Sequence, residues 1–511
     1  TLDCFLLHLF ILGVVQGSVR TAAPGQSSPI EDSPVFRIPL TLSEGGGHYL
    51  AKIKVGRSND TAPQTFQLIV DTGSGDILVF SKEHCAHSEK LNLFHPSCFN
   101  ASASPSFIPK QDPKRFQVLM VDGLWANVSY VSGSDEVGFA DQIPVPSTRP
   151  PLGTQRTTIF VGVADDFVNE TQLAYWNNTD GSVGLSYRFV HTKSPEEEFL
   201  ITWLQHQLEA LSPPQPLVLA LDFRVNPDEQ SYLNVGGVYQ GILWAQAQPW
   251  QVTGSGAMFH ELNVFHLSIC GVDLLSNYSS HWKGIVDTGA SCFALPGEFF
   301  DMIMSWVPAL ECSEEVQTQD SWLDSPSCYL KPGYDKSALP SLTFMMEEDG
   351  PLLEIPLSLL FLPQPDGRDK ICLVRAPYIR EPQLLGMQVT RISFGTAALV
   401  NLLTVLDMTN RLVGMRSKQA YNIGNSSLCA SRVQCVGAQK YYAPMNSCVD
   451  PECGSYYFHE IRPETRECHM RVSFAVVAIF TLVGFACAEV MLSEAYRRLA
   501  HKVVSTFTTT G

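Results

Sequence analysis

Two short runs carry most of the chemical information: FQLIVDTGSG at 66–75 and WKGIVDTGAS at 282–291, each an apolar strand pattern ending in Asp-Thr-Gly and a small residue. Their aspartates, Asp71 and Asp287, stand 216 residues apart. A single Asp-Thr-Gly signals little more than a strand running into a turn. Two copies at lobe-sized spacing point to a duplicated unit with a pseudo-twofold axis. An aspartate at the end of a buried strand, followed by a tight turn, is held at the floor of a cleft with backbone N–H groups around its carboxylate. If two such turns meet across the axis, their carboxylates come within hydrogen-bond reach. Like charges that close cannot both ionise readily, so the pair shares one proton. The ionised member is then a general base for water, and the protonated member a general acid toward a carbonyl oxygen. This is the chemistry of amide hydrolysis with no metal, no cofactor and no covalent intermediate. Neither a phosphate-binding glycine loop nor a Ser/His/Asp arrangement competes with it. His84, Cys85, His87, His95 and Cys98 cluster along the chain, but their spacing matches no standard zinc site, and no metal is expected.

The elements that must position these residues read as strands. From about Tyr49 to Gly414 the chain consists of short runs rich in Val, Ile, Leu and Phe, broken by Gly, Pro, Asn and Asp about every ten residues. Examples are YLAKIKV (49–55), TFQLIV (65–70), TTIFVGVA (157–164), PLVLALDF (216–223) and HLSICGV (266–272). Helical periodicity is confined to stretches such as 197–211 and 297–307. Each Asp-Thr-Gly is followed, after a long interval, by an apolar-apolar-Gly element, SVGL at 182–185 and LLGM at 384–387. The expected fold class is mostly β and two-lobed.

With these motifs in place, the chain resembles the pepsin-like aspartic peptidases from about Tyr49 to Met415. The resemblance extends to Cys85 and Cys98 with FNASASPSF (99–107), DGSVGLSY (180–187), LNVGGVYQG (233–241), LPSLTF (339–344) and LTVLDMTNRLVG (403–414), in the family's order. It implies a bilobal fold with Asp71 and Asp287 as the catalytic dyad, held coplanar by Thr72, Gly73, Ser74, Thr288 and Gly289. It further implies that Tyr130, in YVSGS with Gly133 and Ser134, sits at the tip of a hairpin flap that closes over substrate. It implies a disulfide between Cys85 and Cys98 and a second-lobe bridge between Cys328 and Cys372. Cys270 would pair into the cysteine-rich region near the C-terminus, and Cys292 reads equally as a buried free thiol. Three departures stand out. Leu78 occupies the place where many relatives carry a tryptophan that bonds the flap tyrosine. Ala290 stands where a hydroxyl usually donates to the dyad, which predicts a raised apparent pKa and a less acidic pH optimum. VFRIPL (35–40) resembles the start of a prosegment, yet no long Lys/Arg-rich segment follows it, so activation is not expected to need a long autoinhibitory propeptide.

The ends and the composition supply the setting. The chain has 511 residues, 51 acidic against 34 basic, for a net charge of -17, which argues against a nucleic-acid partner. Residues 5–15 (FLLHLFILGVV) followed by small residues read as a secretory signal. Val472 to Ala488 carries no charge and approaches the ~20 residues that a spanning helix needs. Of the 14 cysteines, setting aside Cys4 and Cys487 leaves twelve, compatible with six bridges, and seven Asn-x-Ser/Thr sequons lie in the same stretch. The expected order is a signal peptide (1–20), a short pro or N-terminal segment (21–48), an N-terminal lobe (49–215) and a C-terminal lobe (216–415). A cysteine-rich stem (416–470), a transmembrane helix (471–492) and a cytosolic tail (493–511) complete it. Together these predict a type I membrane-anchored aspartic endopeptidase of the secretory or endolysosomal pathway or cell surface, acting on proteins or peptides, with a β-secretase-like layout. The competing reading is a catalytically silent peptide-binding relative; both aspartates and both glycines are intact, which favours the enzyme.

Overall fold

The computed structural model describes residues 32–43, 47–56, 62–82, 85, 97–109, 114–119, 125–146, 149–166, 179–188, 200–226, 228–251, 257–276, 278–307, 310–312, 328–364, 366–376, 379–381, 387–419, 429, 433, 435–442, 447–454, 458–463 and 465–508. In the first half the strands used below are β1 (Phe36–Leu42), β2 (Tyr49–Val55), β3 (Gln64–Asp71), β4 (Ile77–Phe80), β5 (Lys114–Leu119), β6 (Trp125–Phe139), β7 (Gln155–Asp166) and β8 (Gly181–Gly184). The second half adds β9 (Val218–Asp222), β10 (Ser231–Val235), β11 (Leu243–Gln246), β12 (Ala257–Ile269), β13 (His281–Val286), β14 (Phe293–Leu295), β15 (Ile392–Phe394), β16 (Leu402–Asp407) and β17 (Leu412–Ser417). The helices used below are α1 (Leu200–Glu209), α2 (Gly297–Met304), the single turn α3 (Thr396–Leu399) and the long α4 (Val472–Thr508).

Burial along the strands follows from their place in the sheets. YLAKIKV alternates, exposing Lys52 while Ala51, Ile53 and Val55 are buried. β3 begins by alternating and then buries Leu68, Ile69 and Val70 in succession, because its end lies between β2 and β8 with both faces covered. The larger sheet runs β11-β17-β16-β9-β10-β1-β2-β3-β8-β4-β7-β6, so strands from both halves of the sequence share it. The smaller sheet is centred on β12-β13-β15-β14. α1 buries Leu200, Trp203, Leu204 and Leu208, one stripe at helical spacing, and α2 buries Phe299, Phe300 and Ile303.

β1 pairs with β10 (Phe36 opposite Val235) and with β2 (Leu40 opposite Ala51). Arg416 closes this edge with an ion pair to Asp32 at 2.7 Å. Residues 32–43, expected within a separate pro or N-terminal segment, are therefore an integral strand of the body: VFRIPL alternates as an inner strand should.

The duplication is visible in topology. β3 lies parallel to β8, with Val70 opposite Val183 and Asp71 opposite Gly184. β13 lies parallel to β15, with Ile285 opposite Ser393 and Val286 opposite Phe394. In each half the strand after the Asp-Thr-Gly turn, β4 or β14, runs antiparallel to that same partner. The second apolar-apolar-Gly element is thus Ile392–Gly395, not LLGM. Of LLGM, residues 384–386 lie outside the described residues, and Met387 begins a separate two-stranded hairpin with Ile379–Glu381.

All twelve cysteines expected to be oxidised are paired: 85–98, 270–429, 292–372, 312–328, 435–448 and 453–468. The Cys328–Cys372 pairing and the free Cys292 thiol are corrected by register. Cys312 faces Cys328 directly across an antiparallel pair. Cys292 and Cys372 immediately precede the parallel pair Phe293–Leu373. Between body and α4, two hairpins (Lys440–Tyr442 with Ser447–Val449, His459–Ile461 with Cys468–Met470) each carry one bridge. Asp450 joins them, accepting from Gln439 Nε2 at 2.8 Å and pairing with Arg466 at 3.4 Å.

α4 has 37 residues and so is about 55 Å long. Its segment Val476–Ala500 contains an 18-residue stretch of mean hydropathy 2.2, none of it buried against the body. The helix continues past residue 492, where the expected span ends, to Thr508.

Candidate active site

β3 and β13 deliver Asp71 and Asp287 to one point. Thr72 and Thr288, both fully buried, cross-link the two turns: each backbone N–H donates to the other's Oγ1 at 3.0 Å. Thr72 Oγ1 donates to the Val286 carbonyl at 2.9 Å, and Thr288 Oγ1 to the Val70 carbonyl at 2.6 Å. A hydroxyl is needed at each place because the side chain must accept and donate at once. Gly73 N–H donates to Asp71 Oδ1 at 2.7 Å, and Gly289 N–H to Asp287 Oδ1 at 3.1 Å.

The glycines report how close the carboxylates are. A Cβ on Gly73 would stand 2.6 Å from Asp287 Oδ1 and 3.0 Å from Asp71 Oδ1, and one on Gly289 would overlap the Asp71 carboxylate. Each carboxylate therefore touches the turn that carries the other. Behind them, a Cβ on Gly184 would enter the backbone of Ser74–Asp76, and one on Gly395 that of Ala290–Cys292. The Leu185 N–H donates to the Asp71 carbonyl at 2.7 Å, and the Asp287 N–H to the Phe394 carbonyl at 3.2 Å.

The two carboxyls are electrostatically unequal. Burial raises Asp71, opposed by the Ser74 hydroxyl and by the backbones of Gly73, Ser74 and Gly289. The Ser74 hydroxyl faces Asp71 without completing a hydrogen bond of ordinary geometry. Burial pushes Asp287 up to about 7, assisted by the charge of Asp71 and opposed only by the backbones of Gly289 and Ala290. Burial raises both carboxyls and the charge of one opposes ionisation of the other, so the pair shares one proton.

Tyr130 lies elsewhere in its hairpin than expected. β5 and β6 pair from Lys114 opposite Tyr130 to Leu119 opposite Trp125, so Tyr130 is at the base, and residues 120–124, which join the strands, lie outside the described residues. β6 continues unbroken through Gly133 and Ser134, flanked by β7 (Tyr130 opposite Gly162). Gly133, expected with Tyr130 at the flap tip, serves close packing instead: a Cβ there would fall inside the Phe107 ring. Ser134 is buried, and its neighbour Asp135 accepts from Ser104 Oγ at 2.7 Å and Ser106 Oγ at 2.5 Å. Leu78 is buried in β4. His84, His87 and His95 lie outside the described residues, and Cys85 and Cys98 are joined to each other.

A separate cavity of about 260 Å³ between β11 and β12 contains no dyad residue. Glu261, at its wall, is neutralised by Arg391 at 2.8 Å and Lys283 at 3.2 Å. Sequence reasoning missed Gly395 and two buried histidines, His48 and His260. An apolar-x-apolar-Gly pattern in ISFG was available for the first; nothing in the sequence marked the histidines.

Comparison with known proteins agrees with this geometry. The model of the family described as eukaryotic aspartyl protease matches residues 48–418. Aspartic protease PEP1 of Arthroderma benhamiae is 24% identical over 311 residues, covering 58% of this chain and 66% of that protein. Aspartic endopeptidase PEP1 of Trichophyton verrucosum gives the same identity and coverage. The match thus spans just under two thirds of the length of these relatives. With the family match extending over most of the chain and both Asp-Thr-Gly turns within it, the chain belongs to the eukaryotic aspartyl protease family.

Proposed function

We propose that the chain is an aspartic endopeptidase that hydrolyses peptide bonds with a water activated between Asp71 and Asp287. The observation that carries this is the reciprocal Thr72–Thr288 bonding, which leaves each carboxylate in contact with the turn of the other. Asp71, with more donors around it, holds the negative charge and takes the proton from water. Asp287, protonated up to about 7, donates to the carbonyl oxygen under attack. As the tetrahedral diol collapses, Asp71 passes its proton to the leaving amine and a diol hydroxyl returns one to Asp287, so the pair is again singly protonated. The names of the relatives, a protease and an endopeptidase, support the same reaction class.

The membrane setting belongs to this reading as well. Six disulfides in the body and stem fit an oxidising compartment, and the unburied apolar span of α4 fits a bilayer crossing, with the body lumenal or extracellular and the end of the chain cytosolic. Full-length protein in detergent should cleave a peptide library below neutral pH and be blocked by a statine-type inhibitor. In sealed membranes α4 should resist carbonate extraction. Inhibitor-insensitive peptide binding without cleavage would replace the enzyme by a binding protein.

A further inference from the structure

Two buried histidines lie outside the dyad yet contact the backbone that carries it. His48 stands just before β2, where the Ser43 N–H donates to its carbonyl at 2.8 Å and its own N–H donates to Ser43 Oγ at 3.1 Å. Extending the β2–β3 register, in which Leu50 faces Ile69, sets His48 opposite Asp71. This first-lobe segment packs on the second-lobe turn. The Gly47 carbonyl accepts from Thr396 Oγ1 at 2.6 Å, and a Cβ on Gly47 would stand 3.1 Å from Ser291 Cβ. The His48 ring, 3% exposed, hydrogen-bonds the backbone of Gly289. That contact favours the protonated ring, so the ring is the donor and the carbonyl the acceptor. Gly289 in turn donates to Asp287 Oδ1 and abuts Asp71.

His260 makes the reciprocal approach. It lies in β12 opposite Val286 and is fully buried, and its ring faces the backbone of Leu185, the residue whose N–H holds the Asp71 carbonyl, without completing a hydrogen bond of ordinary geometry. Burial keeps both rings neutral, pushing His48 down to about 3 and His260 to about 4.

We propose that His48 and His260 are positioning residues for the dyad: each reaches from its own lobe to the backbone behind the other lobe's aspartate, and together they set how Asp71 and Asp287 face one another. At His48 a polar ring is suited to this because a hydrogen bond to a single carbonyl fixes direction as well as distance, whereas an apolar side chain would fill the same space and fix neither; His260 acts through its packing between Val286 and Leu185.

This inference rests on the proposed dyad, and the test separates the two. Full-length protein in detergent is compared as wild type, His48→Leu, His48→Gln and His260→Leu by steady-state kinetics and by hydrogen–deuterium exchange. A small displacement of reacting groups costs up to about 100-fold in rate, so His48→Leu should lower kcat by roughly 10–100-fold with KM within about twofold. His48→Gln, which keeps an N–H donor, should recover most of the loss. Exchange should quicken in 284–295 for His48→Leu and in 181–188 for His260→Leu, with the rest of the body unchanged. Wild-type kcat together with wild-type exchange in these variants would overturn the proposal. So would a loss that His48→Gln does not recover, accompanied by faster exchange throughout the body, which marks a general packing role. If the wild type itself cleaves nothing, the enzymatic reading fails, and the local exchange pattern alone decides whether the histidines hold the turns.

Discussion

Ala290→Ser tests the electrostatic asymmetry of the dyad. Ser74 and Ala290 each stand three residues after their aspartate, and the two turns otherwise present similar backbone donors. Asp71 has a hydroxyl beside it; Asp287 does not, and burial with the charge of Asp71 pushes it up to about 7. A hydroxyl donating to a carboxylate stabilises the ionised form by about 1.5–3 kcal/mol. At about 1.4 kcal/mol per pKa unit, that lowers the upper ionisation of the pair by roughly 1–2 units. The sign follows directly: a donor favours the charged form, the shared proton leaves at lower pH, and the active window closes earlier on its alkaline side. The assay is kcat/KM for a fluorogenic peptide across pH 3–8 with the full chain in detergent, which reports ionisations of the free enzyme. In wild type the alkaline limb should fall near 7, in Ala290→Ser about 1–2 units lower, and in Ser74→Ala no lower than in wild type. An alkaline limb that stays put or moves upward in Ala290→Ser would refute the reasoning.

Other consequences concern stability and connectivity. Because burial lowers His48 from 6.5 to about 3, its contribution is complete above pH 6.5 and falls by about 1.4 kcal/mol per unit as acid protonates the unfolded chain. Asp287, raised from 3.8 to about 7, acts in the opposite sense, its contribution complete below pH 3.8 and lost as pH rises through about 7. In urea titrations the stability gap between wild type and His48→Gln should therefore narrow by about 3 kcal/mol between pH 6.5 and 4, and a constant gap would contradict a buried neutral ring. Gly184→Ala and Gly395→Ala each force a Cβ into the backbone beside an aspartate and should cost at least about 1–3 kcal/mol along with nearly all cleavage. Gly297→Ala, with nothing within 4 Å, is the control, and equal effects at all three positions would remove the argument. Non-reducing peptide mapping should recover Cys292 linked to Cys372 and Cys312 linked to Cys328; a Cys328–Cys372 peptide would show the pairing to be wrong.

The fold was legible where pattern and physics coincide. YLAKIKV alternates because one face of β2 meets the core, and the doubled Asp-Thr-Gly announced two lobes because no single strand-turn requires a second copy. Legibility failed where a residue's job is set by what packs against it from far along the chain. LLGM and ISFG are both apolar runs ending near a glycine, and only the parallel pairing of Ile392–Phe394 with β13 shows which glycine must lack a side chain. The intervals did hold a hint: 113 residues separate Asp71 from Gly184 and 108 separate Asp287 from Gly395, against 99 to Gly386. Gly133 suggested a flap turn, yet its missing side chain makes room for Phe107 in an unbroken strand, which displaces Tyr130 from the tip. Cross-strand register decided the disulfides Cys312–Cys328 and Cys292–Cys372, and register between distant segments is not written in spacing. VFRIPL has the alternation of an inner strand, but the partner that makes it one, β10, lies far along the chain. His48 and His260 carry no local signature, since burial and the backbone across the lobe boundary give them their role.

The central claim is that Asp71 and Asp287 act as one unit on water. Cleavage of a single peptide by the full-length chain, compared among wild type, Asp71→Asn, Asp287→Asn and the double variant, addresses it directly. Groups that work as a unit lose their function together, so each single variant should fall as far as the double, to the uncatalysed background, while retaining the wild-type melting transition. Cleavage that persists in either single variant, or losses that multiply in the double, would contradict a shared-proton dyad.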